Sequence, residues 1–136
     1  MRLVLLCLVA VVGCGGGATF HNLTIVNQTA RKIDEVYVHA PNADKGASRG
    51  ALAQGASLSV KVKGGGVEVL GISELVYVDQ KVRDRPSASQ VVEVTSPTSV
   101  VFYDLGKEPP GLDRPGIFGV AFRLLKPAAP EGEPSE

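Results

Sequence analysis

Few side chains in this 136-residue chain are of types that carry chemistry, and their spacing narrows them further. The thiols are Cys7 and Cys14, and the imidazoles are His21 and His39. If the histidines met on neighbouring strands they could hold a metal ion with Asp34, Glu35 or Asp44. They lack the short fixed spacing of a metal motif, however, and exposed strand-end histidines are the plainer expectation. Acyl transfer needs a nucleophile, a base and an orienting acid. Gly71-Ile72-Ser73-Glu74 approaches the G-x-S-x-G frame of serine nucleophiles but lacks its final glycine, and the expectation is that no serine lies in such a frame. Gly64-Gly65-Gly66 has the composition of a phosphate loop. It lacks the Lys-Ser/Thr that opens a helix, so it reads as a hairpin tip. Tyr37, Tyr77 and Tyr103 are the aromatics best suited to contact, with no tryptophan beside them. The expectation is a domain without catalytic, metal or cofactor-binding residues, one that acts by contact.

Cys14 differs from the rest because of what precedes it. Arg2 is a positive start, Leu3–Val12 is an apolar run, and Val11-Val12-Gly13-Cys14 ends it with small residues before the thiol. A positive start, an apolar run of about 7–15 residues and a small-residue cleavage site make a secretory signal peptide. The run is too short for a membrane-spanning helix, which needs about 20 apolar residues. Val11–Cys14 resembles the lipobox of bacterial prolipoproteins, with valine where leucine is commoner. The resemblance implies cleavage before Cys14 and a thioether-linked diacylglycerol on its sulfur, usually with a third acyl chain on the new amino group. It also implies, since Gly15 rather than aspartate follows, a place in the outer membrane facing the periplasm. Two or three acyl chains would make the anchor effectively permanent, where one alone holds marginally. Gly15-Gly16-Gly17-Ala18 would be a flexible tether.

Lipidation of Cys14 and loss of Cys7 with the leader would leave no thiol for a disulfide, so the domain must hold by burial alone. Lys plus Arg and Asp plus Glu balance at 14 each. With no basic excess and no block of like charge, a nucleic-acid partner is not expected. The residues beyond 13 suffice for one domain with its own core.

Valine-rich runs cut by glycine and proline call for strands. Leu23 and Ile25 alternate with polar neighbours up to the Asn27-Gln28-Thr29 turn. Lys32–His39 puts Val36 and Val38 on one face and Glu35, Tyr37 and His39 on the other. Lys45–Gly55 reads as a loop crossing between layers, with Leu52 as its apolar plug. Ser57–Lys63 is the cleanest alternation, with Leu58, Val60 and Val62 inward. Val67–Leu70, Glu74–Asp79, Val91–Val94 and Ser99–Asp104 follow, the last with Val100 and Phe102 inward. Gln80–Ser89 reads as a charged loop and Lys107–Pro115 as an irregular one, since prolines interrupt it. In Gly116–Lys126, Phe118, Val120, Phe122 and Leu124 lie two apart, as in a strand, though a short helix is the alternative. Asn22-Leu23-Thr24 and Asn27-Gln28-Thr29 match the N-glycosylation pattern and would here be ordinary strand and turn residues.

The sequence thus predicts an all-β chain, a small antiparallel β-sandwich (Ig-like or transthyretin-like) of about seven or eight strands. The organisation expected is a signal peptide over 1–13, a lipidated cysteine and tether over 14–18, the sandwich over 19–126 and a disordered Pro/Glu-rich tail over 127–136. The function expected is that of a non-enzymatic, lipid-anchored envelope protein, held to the membrane by its acyl chains and presenting the sandwich to another envelope protein. The alternative is a small-ligand or metal-binding lipoprotein.

Overall fold

The computed structural model describes residues 19–77, 81 and 83–123. Cys14, the leader, the tether and the tail lie outside the described residues, as does Leu124. The chain is all-β, and among the described residues no helix is long and apolar enough to cross a membrane. The strands are β1 (Phe20–Asn27), β2 (Ile33–His39), β3 (Ser57–Lys63), β4 (Gly65–Ser73), β5 (Val76–Tyr77), β6 (Arg83–Asp84), β7 (Ser87–Val94), β8 (Thr98–Asp104) and β9 (Ile117–Phe122).

They form a four-stranded sheet ordered β3-β1-β8-β9, a three-stranded sheet ordered β2-β4-β7, and the small ribbon β5-β6. The two larger sheets share one hydrophobic cluster: Leu23, Ile25, Val60, Val62, Val100, Phe102, Val120 and Phe122 from one, Val36, Val38, Val67, Val69, Val92 and Val94 from the other. Each strand alternates, because successive side chains point to opposite faces. Every residue expected inward is buried except Leu58, which is half-buried against the cluster. Phe102 and Phe122 pack edge to face at 5.3 Å in its centre. Gly71 of β4 faces them, and a β-carbon there would lie 2.8 Å from Phe102 Cζ. The sheets touch at that point only because position 71 has no side chain.

Three expectations are corrected. The three-stranded sheet and the β1–β3 pair are antiparallel as read, but β1–β8 and β8–β9 run parallel, so the four-stranded sheet is mixed. Parallel neighbours cannot be joined by a tight hairpin. The stretch from Leu105 to Gly116 is therefore a crossover, and it lies on the outer face of its sheet: a β-carbon at Gly119 would meet Leu112 and Tyr103 side chains, each at 2.8 Å.

The second correction concerns Gly64-Gly65-Gly66. It is no hairpin tip, because β3 and β4 belong to different sheets. The chain turns from one sheet to the other with Gly64 alone between the strands. The Gly64 amide donates to the carbonyl of Thr19 (2.7 Å) and Gly65 has φ +121°, in the region that favours glycine. This is a corner between the two sheets.

Third, of the strand read at Glu74–Asp79, Val76–Tyr77 is strand and Glu74 and Leu75 are not, Val78 and Asp79 lying outside the described residues, while the charged loop contains β6 and the start of β7. β4 runs on through Gly71 to Ser73. The loop between β2 and β3 does cross between layers: Leu52 pairs with Ile33 and is buried, and the Arg49 amide donates to Val36 O. β9 is a strand over Ile117–Phe122, with Val120 and Phe122 buried.

Candidate functional site

β4 gives the domain two distinct ends. At its start are the glycine corner, Thr19 and the last residues of β2 and β3. At its finish, Ser73 pairs with Ile33, near the last residues of β1 and β8.

At the corner end lies a cleft of about 270 Å³, opening where edge strands β2 and β3 face each other. His39, Arg49, Lys61 and Lys63 line it with Gly64 and Gly66, and among the described residues no carboxylate does. Two carboxylates lie near. Glu68 opposes His39 and Glu93 opposes Gly66, both on the outer face of the three-stranded sheet. Phe20, cross-strand from Lys63, is 56% exposed. Nothing in the local alternation marked this cluster, because Lys61 and Lys63 read as ordinary outward strand residues and Arg49 as loop. The two histidines come to the same end, His39 on the cleft and the His21 ring beside Gly64. Among the described residues no three His, Cys, Asp or Glu side chains group as metal ligands, so Asp34, Glu35 and Asp44 do not join them.

At the opposite end β5 and β6 form a two-stranded ribbon within the β4–β7 connection. Its base is fixed by the Glu74 amide donating to Lys32 O (3.0 Å), the Lys32 amide donating to Glu74 Oε2 (3.1 Å), and the Ser73 amide donating to Pro86 O (2.8 Å). Asp34 holds it as well, with Arg85 at 3.5 Å and Lys32 at 3.8 Å. Beyond that base Leu75 and Tyr77 stand 45% and 68% exposed, with Arg83 across the ladder from Tyr77. Leu75 and Tyr77, two apart in the chain, put two large apolar side chains in water, the start of a contact patch.

Buried polar residues form a third group, at the ribbon end. Asn27 is fully buried, its amide nitrogen donating to Arg31 O (2.8 Å) and Leu52 O (2.9 Å). Its carbonyl oxygen accepts from the Thr29 amide (2.9 Å) and hydroxyl (2.6 Å). The second glycosylation match is therefore an interior polar knot. Arg31 Nη2 lies 2.7 Å from Asp104 Oδ1, an approach too bent for a good hydrogen bond, and Arg31 Nη1 has no partner among the described residues. The sequence showed the turn here but gave no sign that it was buried.

Gly46-Ala47-Ser48-Arg49-Gly50 does have the G-x-S-x-G spacing, contrary to the expectation that no serine would lie in such a frame. The frame works as a strand-to-helix elbow, whereas these residues lie in the exposed loop between β2 and β3. Ser48 Oγ there accepts a hydrogen bond from the Gly50 amide at 3.0 Å. On the outer face of the three-stranded sheet the Tyr37 hydroxyl donates to Glu35, with Lys45 Nζ 4.4 Å from the ring centre. The hydrogen bond to that carboxylate, with burial and its charge, raises the Tyr37 phenol above its ordinary value. Tyr37 does face outward as read, yet it is covered. Comparison with known protein families, curated proteins and solved structures gives no match.

Proposed function

We propose that this chain is a lipid-anchored protein of the cell envelope. It is held through Cys14, acts by binding without catalysis, and presents its β domain to another envelope protein. The anchor rests on Val11–Cys14 behind an apolar run, and the outer membrane, periplasmic side, is the location proposed from Gly15. The observation that carries the interaction is the β5–β6 ribbon, with Leu75 and Tyr77 exposed and Arg83 across the ladder from Tyr77 on a fixed base. Rigid scaffolds commonly bind through such connections.

Two results are expected. Cys14→Ser should leave the precursor uncut and shift the protein from the detergent to the aqueous phase of a detergent partition; equal partition of both forms would refute the anchor. Tyr77→Ala with Arg83→Ala should reduce crosslinked partner recovered from membranes by about tenfold, in the range of interface residues that matter most. Since both side chains are exposed, stability should change by under about 0.5 kcal/mol. Undiminished crosslinking in that variant would move the partner elsewhere on the domain.

A further inference from the structure

We infer that the glycine-corner end of the domain is the face turned to the bilayer, and that its basic cleft takes the phosphates of anionic phospholipid headgroups. The inference rests on the anchor proposed at Cys14 and specifies how the domain sits on that anchor.

The first argument is reach. The Gly64 amide is bonded to Thr19 O, so the chain enters the domain at the cleft's rim. Thr19 lies five positions after Cys14, with four residues between them, and that stretch fully extended spans at most about 18 Å. An anchor at Cys14 therefore keeps this end, and not the ribbon end, near the headgroups.

The second argument is charge. Arg49, Lys61 and Lys63 are exposed and line the cleft with His39, while the carboxylates of Glu68 and Glu93 lie outside it on one sheet face. Basic side chains close to an anionic surface are drawn to it, each strengthening binding about fivefold. The cleft concentrates three of them, so together they should strengthen it about a hundredfold. Phe20 supports the same orientation. It is exposed next to Lys63, and amphipathic borders of this kind, an aromatic ring beside snorkelling lysines, suit the membrane interface. The chain as a whole is neutral, which makes local placement the deciding factor rather than net charge.

The test separates the cleft from the anchor. Among the described residues every strand and the shared core lie within 20–122, so a chain starting at residue 14 keeps all of them. That chain, carrying Cys14→Ser so that no lipid is attached, is mixed with vesicles of phosphatidylcholine alone or of phosphatidylcholine with phosphatidylglycerol. It should sediment with the mixed vesicles only, and binding should vanish in 1 M salt, where screening acts within about 3 Å. The triple variant Arg49→Gln, Lys61→Gln, Lys63→Gln should bind about a hundredfold more weakly. The triple variant Lys32→Gln, Lys107→Gln, Arg123→Gln removes the same charge away from the cleft and should bind as the parent does. Equal loss in both variants, or equal binding to neutral and mixed vesicles, would overturn the inference. So would amide shifts at Gly64 and Lys63 on adding inorganic phosphate without any vesicle binding, since the cleft would then serve a free anion. Failure of the detergent partition with vesicle binding intact would instead remove the anchor and leave the cleft.

Discussion

Replacing Asp104 by alanine should cost about 3–5 kcal/mol of stability, the range found when one partner of a buried ion pair is removed. Arg31 is only 8% exposed, and Asp104 Oδ1 at 2.7 Å is the negative charge beside it. Without that carboxylate the guanidinium is a buried charge with nothing opposite, and its Nη1 already lacks a partner. The Ala30 amide would also lose its acceptor, Asp104 Oδ2 at 3.0 Å. The opposite manipulation separates pairing from burial. Arg31→Met with Asp104→Leu removes both charges and leaves apolar groups of similar volume, a change that is often neutral or stabilising. Urea midpoints at unchanged slope should show a large loss for the single variant and recovery of most of it in the double. A single variant within 1 kcal/mol of the parent would mean that water reaches the guanidinium.

The second large effect is expected at Gly71. Alanine there places a β-carbon 2.8 Å from Phe102 Cζ and 3.1 and 3.2 Å from its neighbouring ring carbons. Phe102 is fully buried and packed on Phe122, so the ring has nowhere to go. Overpacking a filled core costs about 1–3 kcal/mol. Because the atom that must yield is a ring in the middle of the sandwich, the upper part of that range applies. Phe102→Leu shortens the opposing side chain, so the Gly71→Ala, Phe102→Leu double should be less destabilised than the two single losses added together. Residues in contact couple by about 0.5–3 kcal/mol. Strict additivity would show that the sheets move apart instead of clashing.

Gly71 also shows where the sequence stops being legible. Strands whose apolar residues alternate were readable: Ser57–Lys63 and the Val100–Phe102 strand lie where hydrophobic period alone puts them. Gly71 read as a break because glycine weakens a strand in isolation. Its reason for being there, the Phe102 ring, lies in the other sheet and has no local trace. β7 began unseen because Ser87, Ala88 and Ser89 carry little apolar signal on a strand paired on one side only. The parallel pairing of β8 with its neighbours is likewise a long-range choice that no period encodes. For the site, the anchor reading rests on a contiguous motif that lies outside the described residues. The basic cleft was not legible, since the fold assembles Arg49, Lys61 and Lys63 from a loop and a strand, each unremarkable alone. The buried Arg31–Asp104 pair joins residues from opposite halves of the chain.

β4, from Gly65 to Ser73, is the longest strand among the described residues at 9 residues. At about 3.3 Å per residue it separates the corner from the foot of the ribbon by about 26 Å. On the anchor and orientation proposed above, β4 would be a spacer that sets the height at which Tyr77 would meet a partner. A longer stretch between Cys14 and Thr19 would add slack, whereas a longer or shorter β4 would change the height itself, and with it the depth at which the proposed contact could form.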